Sequence, residues 1–254
     1  MRPLVLISND DGIEAPYLKA LASALEELDV EVLVVAPERE RSAVSHSITL
    51  HKPLRAMDRG PNRIAVSGSP VDCVYIAILK LTDRLPDLVI SGINDGFNLG
   101  SDVFYSGTVA AAVEGAIRGV PAVAMSMDRA KDADIGAGVR FGVSLASQML
   151  GADIPRNTLL NVNFPATPGD RYRWTSLGKR VYSDDVEMRL DPRGKRYFWI
   201  GGGAVDSPQA PGSDCQAVAE GVISVTPLKL DLTAHDQIAT APLAGIDGYA
   251  FAGV

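Results

Sequence analysis

Leu4-Val5-Leu6-Ile7 runs without a break into Ser8-Asn9-Asp10-Asp11-Gly12. Four apolar residues in a row, closed by a polar turn, read as a short strand covered on both faces, as in a parallel sheet. Leu18, Leu21, Ala22, Leu25 and Leu28 then recur at helical spacing, and Val30-Glu31-Val32-Leu33-Val34-Val35 forms a second strand that stops at Ala36-Pro37. Strand, helix and strand make one βαβ unit with a right-handed crossover.

The alternation continues along the chain. Ser69-Pro70 supplies a cap and a first-turn proline for a helix reaching about residue 81. Residues 87–91, 120–126 and 159–163 read as strands, and 106–118 and 135–150 as helices. A short capped helix over 213–220 and a returning strand over 221–226 close the pattern. Residues 1–254 therefore read as one α/β domain, a Rossmann-like and mostly parallel sheet with helices on both faces. Residues 171–199 differ in character. They hold six aromatics, including both tryptophans, with eight basic and four acidic residues, and read as an extended β-hairpin arm. Rings on a lone hairpin need a surface to bury against, which their own domain or a partner subunit would supply, and the partner subunit is the expectation.

The charge balance is 24 basic against 31 acidic residues, net −7. That disfavours a nucleic-acid partner or an anionic membrane surface, which both call for a positive face. Cys73 and Cys215 stand far apart in helix-like contexts, which argues against a disulfide scaffold and for a reducing compartment. The N-terminal apolar stretch is too short for a signal peptide, and no uncharged run approaches the ~20 residues of a membrane span. The expectation is a cytoplasmic protein without a membrane partner.

Several enzyme signatures are missing. Gly92, Gly96 and Gly100 do not match G-x-G-x-x-G, and Gly178-Lys179 and Gly194-Lys195 are each followed by Arg, which a phosphate-binding P-loop does not allow. No G-x-S-x-G elbow occurs, and His46, His51 and His235 lack zinc-like spacing. Two polar clusters remain, each at the carboxyl end of an expected parallel strand, where open α/β sheets bind ligands. In the first, the adjacent carboxylates of Asp10 and Asp11 repel one another, and oxygen ligands of this kind suit Mg²⁺ or Mn²⁺. An Asp cap followed by a turn at Gly12 would account for the same residues. The second runs from Ser91-Gly92-Ile93-Asn94 through Asn98-Leu99-Gly100 to Asp102 and Tyr105-Ser106-Gly107-Thr108. Its last three residues open a helix whose free amides would cradle a phosphate; an ordinary serine cap on a flexible loop would look the same. The stretch from Ala36 to Ser47 reads as a solvated charged loop, and spacing alone does not single out Ser42.

Taken in order, these segments resemble the survival-protein-E (SurE) family of 5′/3′-nucleotidases. The likeness extends through Arg41-Ser42, Tyr105-Ser106-Gly107-Thr108-Val109, Asp191-Pro192-Arg193-Gly194, Thr226-Pro227-Leu228 and Asp231-Leu232-Thr233. It implies one divalent cation per subunit, Mg²⁺ or Mn²⁺, ligated by Asp10, Asp11, Ser42 and Asn94. It also implies a homodimer or homotetramer built with the arm. Glu38, Glu40, Ala43 and His46 depart from the family's loop around Ser42, and Asp95 adds a charge beside Asn94. The expected reaction is hydrolysis of a nucleoside 5′- or 3′-monophosphate by metal-assisted attack of water. Asp10 and Asp11 would hold the cation, and one or the other would take the water's proton. Asn9, Asn98, Ser106, Gly107 and Thr108 would grip the phosphoryl oxygens. An aspartyl-phosphate route is disfavoured because no Asp-x-Asp-x-Thr occurs. A non-enzymatic nucleotide-binding module of the stress response is the alternative; it would have no use for two adjacent carboxylates.

Overall fold

The first strand, β1 (Leu4–Ser8), lies at the centre of a nine-stranded sheet in a computed structural model that describes residues 1–183, 186–201 and 205–240. On one side it pairs in parallel with β2 (Glu31–Pro37), which pairs with β4 (Arg63–Val66) and, beyond it, antiparallel β3 (Ala56–Asp58). On the other side it pairs with β5 (Leu88–Asp95), followed in parallel by β6 (Ala122–Met127) and β7 (Leu159–Phe164). The architecture is the α/β, Rossmann-like one expected. It is completed by antiparallel β13 (Ile223–Pro227) and, parallel to that, β8 (Tyr172–Trp174).

Alternate residues of β1 feed two cores. Val5 and Ile7 pack with Leu18, Leu21 and Leu25 of α1 (Pro16–Leu25) and Ala146 and Met149 of α4 (Ile135–Gly151). Leu4 and Leu6 face Cys73 and Val74 of α2 (Pro70–Ile76) and Val109 and Ala112 of α3 (Gly107–Ile117). Each fully buried leucine of α1 contributes about 1.5–3 kcal/mol, so this face, more than its uncapped N-terminus, holds the helix. Helix α2 has the expected Ser69 cap, reinforced because Asp72 accepts the Ser69 amide in return. It does not stay α-helical to residue 81: Ala77–Leu81 widens into a π-helical turn, which Thr82 closes by donating to the carbonyls of Ala77 and Ile78.

Two further elements differ from the sequence reading. Strand β5 continues to Asp95, through residues that read as loop, because an extra residue bulges between Ser91 and Asn94 against β6. Gly92 makes this possible: its φ is +133°, and a Cβ there would stand 2.3 Å from the Met125 carbonyl oxygen. Residues 171–199 are divided among three places. Tyr172 and Trp174 join the main sheet in β8, and Val181–Tyr182 (β9) pairs with Val205–Asp206 (β12). Only Val186–Leu190 (β10) and Arg196–Ile200 (β11) form a hairpin. Its turn is set by Asp191, whose carboxylate accepts the amides of Arg193 and Lys195, and by Gly194 at φ +77°. Cys73 and Cys215, the latter in α5 (Asp214–Ala219), are both free thiols. No helix among the described residues is long and apolar enough to cross a membrane.

Candidate active site

Three chain segments meet at the carboxyl ends of β1, β2 and β5. The turn after β1 is braced from within. The Asn9 side chain donates to the Gly12 carbonyl at 3.0 Å and accepts the Gly12 amide at 3.2 Å, and Gly12 takes φ +100°. Arg41 then donates its amide to the Asp10 carbonyl at 2.7 Å, which fastens the loop after β2 to the turn. From the β5 bulge, the Asp95 amide donates to Asp11 Oδ2 at 3.3 Å.

Asp10, Ser42, Asn94, Asn98 and Ser106 line one cavity of about 420 Å³. Asp11 borders the adjoining opening with Glu40, Asp95 and Arg129. Asn94 donates its amide to the Gly96 carbonyl at 2.7 Å, which leaves Oδ1 as its acceptor. Ser42, exposed on its loop, donates its hydroxyl to Glu40 Oε1 at 2.7 Å. Ser106 caps α3 by accepting the Val109 amide at 3.0 Å. Asn98 is held from beneath. Its amide N–H donates to Asn163, its side chain donates to Ser126 Oγ, and its carbonyl accepts Asn161 and Asn163. Buried asparagines on β7 thus hold a cavity residue, which no local pattern disclosed.

Other residues expected to grip phosphate sit differently. Asn9 is buried with both ends of its amide committed to Gly12, so it shapes the turn without lining the cavity. Thr108 serves Asp10: its hydroxyl donates to Asp10 Oδ1, and its backbone amide also favours the charged carboxylate. Gly107 is where α3 approaches that carboxylate, since a Cβ there would lie 2.9 Å from Asp10 Cβ and 3.0 Å from its Oδ2. The start of α3 therefore supports the acidic pair as well as facing the cavity.

Burial raises the Asp10 carboxyl above its ordinary range, against the hydrogen bonds from Thr108. Asp11 is pushed up to about 6, first by burial and then by the charge of Asp10. Two desolvated carboxylates side by side are stable as anions only with a cation between them. Among the described residues no three His, Cys, Asp or Glu side chains converge. Beside the two carboxylates, the Asn94 amide oxygen and the Ser42 hydroxyl are further oxygen donors at the same sheet edge. All-oxygen donors of mixed charge fit a hard divalent ion.

The cavity also includes residues whose role the sequence did not reveal. Tyr182 donates its hydroxyl to Asp102 Oδ1 at 2.6 Å, and Arg180 Nε stands 3.2 Å from Asp102 Oδ2. Burial raises the Asp102 carboxyl, with Tyr182 and Arg180 opposing the shift. Buried Asp214 links these elements, accepting the amides of Gly100 at 2.8 Å, Gly178 at 2.7 Å and Cys215 at 2.8 Å.

Comparison with known proteins identifies the family and the fold. The family model described as Survival protein SurE matches residues 5–184. The chain is 52 % identical over 237 residues to a protein of Anaeromyxobacter dehalogenans (strain 2CP-C) named 5′-nucleotidase SurE, covering 92 % of each. It is 47 % identical over 239 residues to one of the same name from Geotalea daltonii, covering 92 % of this chain and 96 % of that one. Among solved structures, that of the SurE protein from Aquifex aeolicus superimposes with a TM-score of 0.80 at 38 % identity, covering 94 % of this chain and 98 % of the other.

Proposed function

Because the chain belongs to the survival-protein SurE family, we propose that it is a metal-dependent 5′-nucleotidase that hydrolyses nucleoside 5′-monophosphates, and 3′-monophosphates at the same site, to nucleoside and phosphate. The observation that carries this is the buried Asp10 carboxylate, with Asp11 half-buried beside it, set against the capped start of α3. Asp10, Asp11, Ser42 and Asn94 hold one divalent cation, Mg²⁺ or Mn²⁺. When bound, it supplies Lewis-acid polarisation of the phosphoryl oxygens and lowers the pKa of water.

The remaining work falls to the chain. The Ser106 hydroxyl and the Gly107 amide bind phosphoryl oxygens at the positive end of α3. Asn98, fixed by Ser126, Asn161 and Asn163, orients the ester from the opposite wall. Each carboxylate has one oxygen engaged, Asp10 by Thr108 and Asp11 by the Asp95 amide; the water's proton goes to Asp11, the less buried of the two, whose carboxylate borders the open side. A module that merely bound nucleotides would be burdened by two carboxylates that repel phosphate. We further place the protein in the cytoplasm as a homodimer or homotetramer, with the β10–β11 hairpin in the subunit contact.

Phosphate release from a panel of nucleoside 5′- and 3′-monophosphates tests the activity. EDTA treatment should abolish turnover, and added Mg²⁺ or Mn²⁺ should restore it. Full activity in EDTA would remove the metal from the reaction, and no release from any member of the panel would remove the reaction itself.

A further inference from the structure

Charge balance in the cleft leaves one requirement unmet. A divalent cation is matched by the two carboxylates of Asp10 and Asp11. A phosphomonoester dianion then meets a site that is neutral apart from roughly +0.5 charge at the start of α3. The cavity wall adds the carboxyl groups of Asp95, Asp102 and Asp128, so a further positive group must face the substrate.

Two guanidinium groups line the cavity. Arg129 is 71 % exposed and donates from Nε and Nη2 to the Asp95 carbonyl at 3.1 and 2.7 Å, which directs it to the outer rim. Arg180 is the contrary case. Its side chain is 16 % exposed, and its one ion pair among the described residues is with Asp102. Its Nε is fully buried without a directed hydrogen bond. Asp102, moreover, is shared with the Tyr182 hydroxyl. A guanidinium withdrawn from water and half-matched in this way is suited to a second anion.

Its position is also fixed. The Gly178 amide is held by Asp214, which holds Gly100 with its other oxygen, and Tyr182 is anchored on Asp102. The Asp102 carbonyl in turn accepts the amides of Tyr105 and Ser106, and Ser106 begins the expected phosphate cradle. Arg180 is thus built onto the same short turn that presents the cradle.

We propose that Arg180 is a substrate-contacting residue, which binds a phosphoryl oxygen and offsets charge that the Asp10–Asp11 site cannot. This deepens the phosphomonoesterase reading and rests on it. Planar bidentate donation to phosphate is a property of Arg that Lys reproduces only as a point charge.

The test uses the Mn²⁺-loaded protein, comparing wild type with Arg180→Gln and Arg180→Lys. Removal of one such donor in a water-poor site typically costs about 100-fold or more in turnover. Arg180→Gln should therefore lose about that much kcat/KM on a nucleoside monophosphate, and inhibition by inorganic phosphate should weaken about tenfold. Mn²⁺ affinity by calorimetry should stay within about threefold, and Arg180→Lys should recover part of both losses. Phosphate inhibition and kcat/KM within about twofold of wild type would overturn the proposal. So would losses that run in parallel with lost Mn²⁺ binding or a collapsed melting temperature. Should Arg180→Gln fail to fold, Arg180→Lys decides: phosphate affinity equal to wild type refutes the role. A wild-type protein that releases no phosphate from any nucleotide would count against the enzymatic reading instead, and phosphate binding by calorimetry would still decide the role of Arg180.

Discussion

Asp10 shows how closely the start of a helix can fix the position of one carboxylate. Its carboxylate is approached by the Thr108 hydroxyl and by the backbone of Gly107 with no room for a side chain. Thr108→Val keeps the shape and deletes the donor. Supporting partners of a metal ligand typically carry 10–100-fold in affinity or activity, and a loss in that range is expected with the fold intact by circular dichroism. Gly107→Val, whose Cβ would lie 2.9 Å from Asp10 Cβ, should be worse, losing activity and melting temperature together. Wild-type turnover in either variant would show that the position of Asp10 is not set from α3. The acidic pair itself was legible because two adjacent carboxylates at a strand end demand an explanation. The role of Thr108 was not, since ninety-eight residues separate it from its partner.

Elements were readable where a hydrophobic period or a cap marked them, as in α1 and α3. They were misread where tertiary geometry prevailed, as in β5, whose last residues follow β6 past a bulge that only Gly92 permits. Helix α3 has a further task. From its buried face Glu114 accepts Arg118 Nε at 2.7 Å and meets His46 Nε2 at 3.2 Å, which ties the Ser42 loop to the helix. Burial alone would raise this carboxyl, but the hydrogen bonds from His46 and Arg118 outweigh it and hold it below its ordinary 4.5. A depressed folded value means that the proton prefers the unfolded chain. The stabilisation is therefore complete above about pH 4.5 and is lost as pH falls through the lower folded value. Glu114→Gln should melt lower than wild type at pH 7 by about 1–2 kcal/mol of stability, with the gap closing in acid. A gap that stays constant down to pH 3 would assign the difference to packing and not to charge.

At the level of the whole molecule, the β10–β11 hairpin exposes Val186, Met188, Leu190, Tyr197, Phe198, Trp199 and Ile200 on its two faces. Two strands alone are marginal in water, so a second subunit is the expected cover. Replacing Tyr197, Phe198 and Trp199 by Ser should lower the mass measured by light scattering at micromolar concentration. A monomeric wild type, or an unchanged mass in the variant, would count against a contact there. Composition had marked the whole span 171–199 for this task, but the chain places Tyr172 and Trp174 in the main sheet and Arg180 and Tyr182 against the cleft. Aromatic content cannot tell a ring that seals a sheet edge from one that meets a partner. Asp214 separates the two uses. One buried carboxylate clamps Gly100 and Gly178 alike, a bracket on residues that precede the hairpin in the chain. The hairpin is in effect a handle on that bracket: its length and its rings are free to drift while Gly100 and Gly178 keep their places.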